Sequence, residues 1–221
     1  MELAKPALDV GLYTNELDAM LAFWQEQVGV PYQELLKVGG GVHQHRHGIG
    51  DSVLKINHQR AALRANEPTG LTCLEIFTPA VDASIDLIDP DGNDVRLSPP
   101  DGDHNLRLHI QANNIEQTLA FYQETLGLPA VGDKGVAAGA SLLEFTPGSV
   151  APFERVALGY RYMTVQVYDV VEEHARILAA GGHEGMAPVR LGDVAYISFV
   201  LDPDGNWIEI SQRKSITGSL D

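Results

Sequence analysis

The segment His43-Gln44-His45-Arg46-His47 sets three histidines at alternate positions. In an extended strand this puts His43, His45 and His47 on one face, about 6 to 7 Å apart, and Gln44 and Arg46 on the other. Neighbouring pairs at that spacing can share a metal ion, whereas all three on one strand strain its geometry. The alternative is a strand end where one or two histidines are solvated and another packs. In residues 52–57, Lys55 and Asn57 share a face, with His58 opposite. A lining of His45, His47, Lys55 and Asn57 suits an anionic or carbonyl-bearing organic substrate, the lysine holding charge and a histidine shuttling a proton. Arg107 and His109 also share a strand face. His104, His174 and His183 lie in loop or helix contexts and are expected at the surface.

Other reactive groups have little support. The single cysteine, Cys73, has no partner for an internal disulfide and sits among Leu71, Leu74 and Ile76, where a buried, inert thiol is expected. Gly39-Gly40-Gly41 is followed by no Gly-Lys-Ser/Thr and opens no helix, so it reads as a hairpin turn. No Gly-x-Ser-x-Gly elbow is present.

The 221 residues are 44% hydrophobic and 20% charged, the composition of a globular protein. Fifteen basic against 30 acidic residues give a net charge of −15, which disfavours nucleic acid and anionic membrane surfaces as partners. Residues 1–10 hold Glu2, Lys5 and Asp9 without an apolar run, and no stretch approaches the roughly 18 apolar residues of a membrane span. A cytoplasmic protein that binds a small molecule, as a monomer or homodimer, is expected.

The elements that position these groups are duplicated. Leu21-Ala22-Phe23-Trp24-Gln25-Glu26-Gln27-Val28-Gly29-Val30-Pro31 matches the segment from Leu119 to Pro129 at seven of eleven positions. Asp89-Pro90-Asp91-Gly92-Asn93 returns as Asp202-Pro203-Asp204-Gly205-Asn206. The first pair predicts helices after opening strands near residues 10–12 and 106–110. Their apolar residues (Leu17, Met20, Leu21, Trp24, Val28; Ile115, Leu119, Tyr122, Leu126) recur at helical spacing, and Gly29 and Gly127 stop them. Phe23, Trp24, Phe121 and Tyr122 are expected in the core. The second pair predicts a turn that introduces a final strand, 94–98 or 207–211. A further strand at 162–167 and helix at 170–180 precede the last strands. From Tyr162 to Glu209 is 47 residues but from Glu75 to Arg96 only 21, so the second module has lost a helix and a strand.

These repeated motifs, with LAFYQETLGLP early and DPDGNWIEI late, resemble the vicinal oxygen chelate superfamily, which includes glyoxalase I, extradiol dioxygenases, methylmalonyl-CoA epimerase and bleomycin-resistance proteins. The resemblance implies an α+β fold of tandem βαβββ modules in two domains. An N-terminal domain spans 1–100, its second module shortened and without its helix, and a complete C-terminal domain spans 101–221. It further implies sheets that curl into cups and commonly hold a divalent metal. Ligand positions carried over by motif are Asp9 and Lys55 in the first module and Glu75 and Arg96 in the second. The third supplies Arg107 and Glu144, and the fourth Tyr162 and Glu209. Three of the eight are cations and none is histidine, unlike a metal site.

If modules pair as in a fused glyoxalase dimer, Glu75, Arg96, Arg107 and Glu144 meet as a salt-bridge network, and Asp9, Lys55, Tyr162 and Glu209 form the live cup. Glu209, the residue kept inside an intact motif, is expected as metal ligand or general base, and Tyr162 as proton donor. Lys55, His45 and His47 are expected to orient the substrate, with Asn57, Asp9 and Arg107 also binding it. A shift of one pleat would instead group His109, Glu144 and Glu209 as an iron or manganese set. The expected activity is that of a lyase, isomerase or dioxygenase on a small carbonyl or aromatic molecule, with Fe, Mn, Zn or Ni as the metal if one is bound. The strongest rival is a non-catalytic binding protein of the bleomycin-resistance type; a second is a first half that only props up the second domain, leaving Arg107, His109, Glu144, Tyr162 and Glu209 as the working set.

Overall fold

The two aromatic repeats fold alike. Helix α1 (Leu17–Ala22) runs on as a π-helical turn (Phe23–Gln27), as does α2 (Ile115–Ala120) with Phe121–Thr125. Plain helices were expected from the spacing. The wider turn lets two consecutive aromatics face inward, and Phe23 and Trp24 pack edge-on at 5.4 Å, Phe121 and Tyr122 at 5.3 Å, all buried. Gly29 (φ 81°) and Gly127 (φ 75°) end both units in the left-handed region, as their spacing predicts.

The computed structural model describes residues 1–65 and 68–220. The first module contributes β1 (Asp9–Thr14), β2 (Tyr32–Lys37), β3 (Val42–Ile49) and β4 (Ser52–Gln59). The second holds only β5 (Leu71–Phe77), β6 (Ile85–Ile88) and β7 (Asp94–Ser98), one strand fewer and no helix among the described residues. The third has β8 (Leu106–Ala112), β9 (Ala130–Val131), β10 (Gly135–Ala138) and β11 (Ser141–Pro147). The fourth has β12 (Gly159–Gln166), α3 (Val170–Ala179), β13 (His183–Leu191), β14 (Ala195–Leu201) and β15 (Trp207–Arg213), then a short α4 (Lys214–Thr217). The Gly39-Gly40-Gly41 run is the β2–β3 turn, all three glycines at positive φ.

The modules combine across the halves. One sheet has the order β13-β14-β15-β12-β1-β4-β3-β2, uniting first and fourth modules, and the other β6-β7-β5-β8-β11-β10-β9, uniting second and third. The antiparallel pairs β1/β12 and β5/β8 form the seams. Within each module the first and last strands are parallel neighbours. This is the α+β fold with paired modules that the repeats imply. One face of the eight-stranded sheet is apolar: Val10, Leu54, Ile56, Met163, Val165, Ile208 and Ile210 are at most 1% exposed and join the core shared with the second sheet. The other face carries the polar alternates. No helix among the described residues is long and apolar enough to cross a membrane.

Candidate active-site cup

Strand alternation places Asp9, Lys55, Thr164 and Glu209 together on the floor of the eight-stranded sheet. Register makes this unavoidable: Asp9 lies opposite Thr164 across the seam, and Thr164 lies beside Glu209. The Lys55 ammonium donates to Glu209 Oε2 and to Thr164 Oγ1, both at 2.7 Å, and stands 3.9 Å from Asp9 Oδ2. The Thr164 hydroxyl in turn donates to Glu209 Oε2 at 2.7 Å. Glu209 Oε1 has no hydrogen-bond partner among the described residues, and Glu209 lines the cavity above. Burial pulls the Lys55 amine below its ordinary range, and the charges of Glu209 and Asp9 act against that pull.

Asp9 is fully buried. It accepts from the Val53 amide at 2.9 Å and from Gln166 Nε2 at 3.4 Å, pairs with Lys5, and stands 4.0 Å from Arg46. It therefore holds the cationic wall in place from below. Beside this cluster, Tyr162 Oη accepts from Asn57 Nδ2 at 3.1 Å and from Gln44 Nε2 at 3.5 Å, and Gln44 also donates to Asn57 Oδ1 at 3.0 Å. Asn57 Nδ2 donates as well to the Leu12 carbonyl, fixing the amide. Burial, with Glu209 second, drives the Tyr162 phenol well above its ordinary range, so it stays protonated. The ring lies over Gly11, where a Cβ would come within 2.2 Å of it, which explains a glycine in the middle of β1.

The walls enclose about 850 Å³. Apolar side chains such as Val38, Val42, Met186, Val189 and Ile197 form the sides, and Tyr13, Tyr162 and Phe199 form an aromatic corner, with Trp207 packed edge-on behind Phe199. Arg46 and Arg213 enter the lining already paired with Glu34, at 3.2 and 3.4 Å.

The structure separates the expected histidines from this lining. The Gly50-Asp51 turn pairs Ile49 with Ser52, so Arg46 faces Lys55 and Gln44 faces Asn57, while His45 pairs with Ile56 and His47 with Leu54. Cross-strand partners share a face; His45 and His47 therefore point away from the cup and Gln44 and Arg46 take their place. His47 is fully buried against Tyr32, with Nε2 3.0 Å from Gln25 Nε2, and burial depresses its pKa to about 4. His45 is lowered by burial and by its neighbours His58 and His43. His174, expected at the surface, is buried between Ser198 (3.0 Å) and Glu184 (3.0 Å); Ser198 is itself fully buried, which denies it a substrate. Thr164, absent from the expected set, displaces Tyr162 from contact with Glu209 by one pleat.

The second sheet collects the charge network that the motifs imply. Glu75 accepts from Ser98 at 2.6 Å and Arg107 at 3.1 Å, and lies 3.0 Å from His109 Nε2. Burial works to raise the Glu75 carboxyl, but the hydrogen bonds from Ser98 and His109 and the Arg107 charge outweigh it and hold it low. Arg107 also reaches Glu144 (3.4 Å) and Asp101 (3.2 Å). Arg96 departs from the expected network and pairs with Asp86 at 2.6 Å on the surface. Arg107, His109 and Glu144 thus belong to the other sheet, and neither His109 nor Glu144 meets Glu209 as a metal set.

The donor chemistry of the cup does not fit a divalent ion. Such an ion needs several carboxylates or neutral imidazoles converging on one point. Here that point is held by the Lys55 ammonium, which satisfies Glu209 and Thr164 directly. Among the described residues no three His, Cys, Asp or Glu side chains are grouped to hold a metal.

Comparison with known proteins agrees with this architecture. Residues 103–210 match the sequence profile of the glyoxalase/bleomycin resistance protein/dioxygenase superfamily. Lactoylglutathione lyases from two strains of Neisseria meningitidis, serogroups A and B, are each 32% identical over 126 residues, half of this chain and 91% of the relative. Crystal structures of glyoxalase I from Zea mays share the fold over nearly the whole chain. A mutant form has a TM-score of 0.77 at 15% identity, covering 96% of this chain and 95% of its own. Another glyoxalase I structure gives 0.76 at 14%, covering 93% and 92%. The repeated modules, their pairing into two sheets and these likenesses converge: the chain belongs to the glyoxalase/bleomycin resistance protein/dioxygenase superfamily.

Proposed function

We propose that this protein is a lyase or isomerase that moves a proton on a small carbonyl compound bound in the cup, with the Lys55 ammonium as the electrophile at the floor. One observation carries the reading: Lys55 is fixed 2.7 Å from Glu209 Oε2 and Thr164 Oγ1, while Glu209, which lines the cavity, keeps Oε1 without a partner among the described residues. A substrate carbonyl accepts a hydrogen bond from the remaining Lys55 N–H. Glu209 Oε1 takes the proton from the adjacent carbon, the C–H electron pair moves into the carbonyl as an enolate, and the fixed cation stabilises the new negative charge. On a 2-hydroxy carbonyl compound this enolate is an enediolate: the 2-hydroxyl proton passes to the former carbonyl oxygen as the C2–O bond becomes the new carbonyl, and Glu209 returns the abstracted proton to the former carbonyl carbon, so the step is an isomerisation with no external oxidant or reductant. Tyr162 accepts two hydrogen bonds but its own O–H has no acceptor among the described residues, leaving it to donate to a second substrate oxygen. The relatives named as lyases of lactoylglutathione support a carbonyl substrate.

The test is hydrogen exchange. A panel of 2-oxo and 2-hydroxy carbonyl compounds, with lactoylglutathione among them, is incubated with the protein in deuterium oxide and followed by proton NMR. Exchange or isomerisation is expected with at least one compound, insensitive to chelator, and lost in both Glu209→Gln and Lys55→Met. Compounds that bind the cup without exchange would replace this reading by a sequestering protein of the bleomycin-resistance type.

A further inference from the structure

The cup departs from the charge of the whole. The chain carries −15, yet five of the six charged residues lining the cavity are cations, with Glu209 the exception. Lys55, Arg46 and Arg213 are compensated by Glu209 and Glu34. Two are not: Lys37 is exposed at the rim, whereas Arg155 is partly buried, and for it, among the described residues, no carboxylate lies within ion-pair distance and one contact, to Tyr13 Oη at 3.5 Å, is its whole hydrogen bonding. A guanidinium has five N–H donors, so most of its fork is free toward the cavity it lines.

This arginine is held as a built group. Its guanidinium carbon stacks 4.5 Å from the centre of the Phe199 ring and 5.7 Å from that of Trp207. The irregular segment around it is anchored from beneath. Trp207 Nε1 donates to the Phe153 carbonyl at 3.4 Å. Arg161, fully buried, donates to the Ala157 and Leu158 carbonyls at 3.1 and 2.8 Å. Two of the cup's cations, Lys55 and Arg155, stand at opposite ends of a short aromatic ladder. Lys55 Nζ is 5.5 Å from the Tyr162 ring centre, Tyr162 is 5.7 Å from Phe199, and Phe199 carries Arg155.

We infer that Arg155 is the carboxylate-recognition group of the cup and that its ligands are amphiphilic carboxylates. Such a ligand has an apolar or aromatic skeleton about two rings long, its carboxylate on the Arg155 fork and its oxygen-bearing end at Lys55. Planar guanidinium and carboxylate match in bidentate geometry, the apolar walls take the skeleton, and an otherwise acidic surface leaves this mouth as the place where an anion is welcome. The inference rests on the cup being the ligand site, as proposed above.

Biphenyl-4-carboxylate, biphenyl-4-carboxamide and biphenyl-4-yl phosphate serve as probes in isothermal titration, with the Trp207 fluorescence as a second readout. The wild type is expected to bind the carboxylate about tenfold or more tighter than the neutral amide, the size of a charge-assisted hydrogen-bonded pair at a half-exposed site. Arg155→Met should remove the discrimination while leaving amide affinity within a factor of about two or three, and Arg155→Lys should keep part of it. Tighter binding of the phosphate than of the carboxylate would overturn the carboxylate assignment. Equal binding of carboxylate and amide, or discrimination that survives in Arg155→Met, would overturn the role of Arg155 and leave the proton-transfer reading standing, since that reading is judged by exchange in Glu209→Gln. Failure of every probe to bind would refute the Arg155 assignment and the two-ring skeleton with it, while the proton-transfer reading is still decided separately by exchange on the small carbonyl compounds.

Discussion

Replacing Lys55 by methionine tests the organisation of the cup floor. The ammonium is 3% exposed and 2.7 Å from Glu209, a separation worth about 6 kcal/mol of gross attraction at an effective dielectric near 20. Desolvation of both ions offsets much of that, which is why burial lowers the Lys55 pKa. The single substitution removes the attraction yet leaves Glu209 buried with only the Thr164 hydroxyl, and such orphaned charges cost about 3 to 5 kcal/mol. For a chain of this size that is a fall of about 6 to 20 °C in Tm. The double variant Lys55→Met/Glu209→Leu removes both ions, and because Asp9 keeps Lys5, Arg46 and the Val53 amide, most of the lost stability should return. Urea unfolding of the wild type, Lys55→Met, Glu209→Leu and the double variant gives the coupling energy directly. A loss under about 1 kcal/mol in the single variant, or a double variant no more stable than Lys55→Met, would show that the pair is solvated and that Lys55 is not the fixed cation of the site.

Three further outcomes follow from the same geometry. Wild-type protein purified without chelator should contain far less than one equivalent of transition metal, whereas Lys55→Glu, which groups three carboxylates, should gain a Tm rise with Mn(II) that the wild type lacks; stoichiometric metal in the wild type would refute the fit argument. Gly11→Ala should cost about 1 to 3 kcal/mol and loosen Tyr162, because the added methyl meets the ring at 2.2 Å, and an unaltered unfolding midpoint would count against that packing. His47, held at about 4, stays largely neutral in the folded state until the pH nears 4, while an unfolded histidine takes up its proton near 6.5. The wild type should therefore lose up to about 3 kcal/mol relative to His47→Gln as pH falls from 7 to 4, seen as diverging urea midpoints.

Much of this protein was legible before any coordinates. Duplicated aromatic and turn motifs place the modules, and motif position brings Asp9, Lys55 and Glu209 to one cup and Glu75, Arg107 and Glu144 to one network. The misplaced histidines show where the reading failed. Alternation correctly puts His43, His45 and His47 on a common face, but which face depends on hairpin register, and that was written in the two-residue Gly50-Asp51 turn, which forces odd positions of β3 against even positions of β4. Apolar Leu54 and Ile56 opposite the histidines carried the same signal. Thr164 was missed because the motif was anchored on Tyr162, one pleat away. Arg155 had no sequence signal: it lies in an irregular segment, and its significance arises from rings contributed by β14 and β15 some 40 to 50 residues later.

The crossing of the halves sets an order of events during synthesis. Lys55 and its counter-ion Glu209 are 154 residues apart, and the seam between β1 and β12 closes only when the fourth module exists. Until then β1 is an unpaired strand edge bearing Asp9, and the first module exposes a lysine whose partner has not been translated. The second and third modules, adjacent in the chain and joined through β5 and β8, close over a much shorter loop. The second sheet therefore closes over the shorter loop, and the floor of the cup is completed only once β12 and β15 have been made.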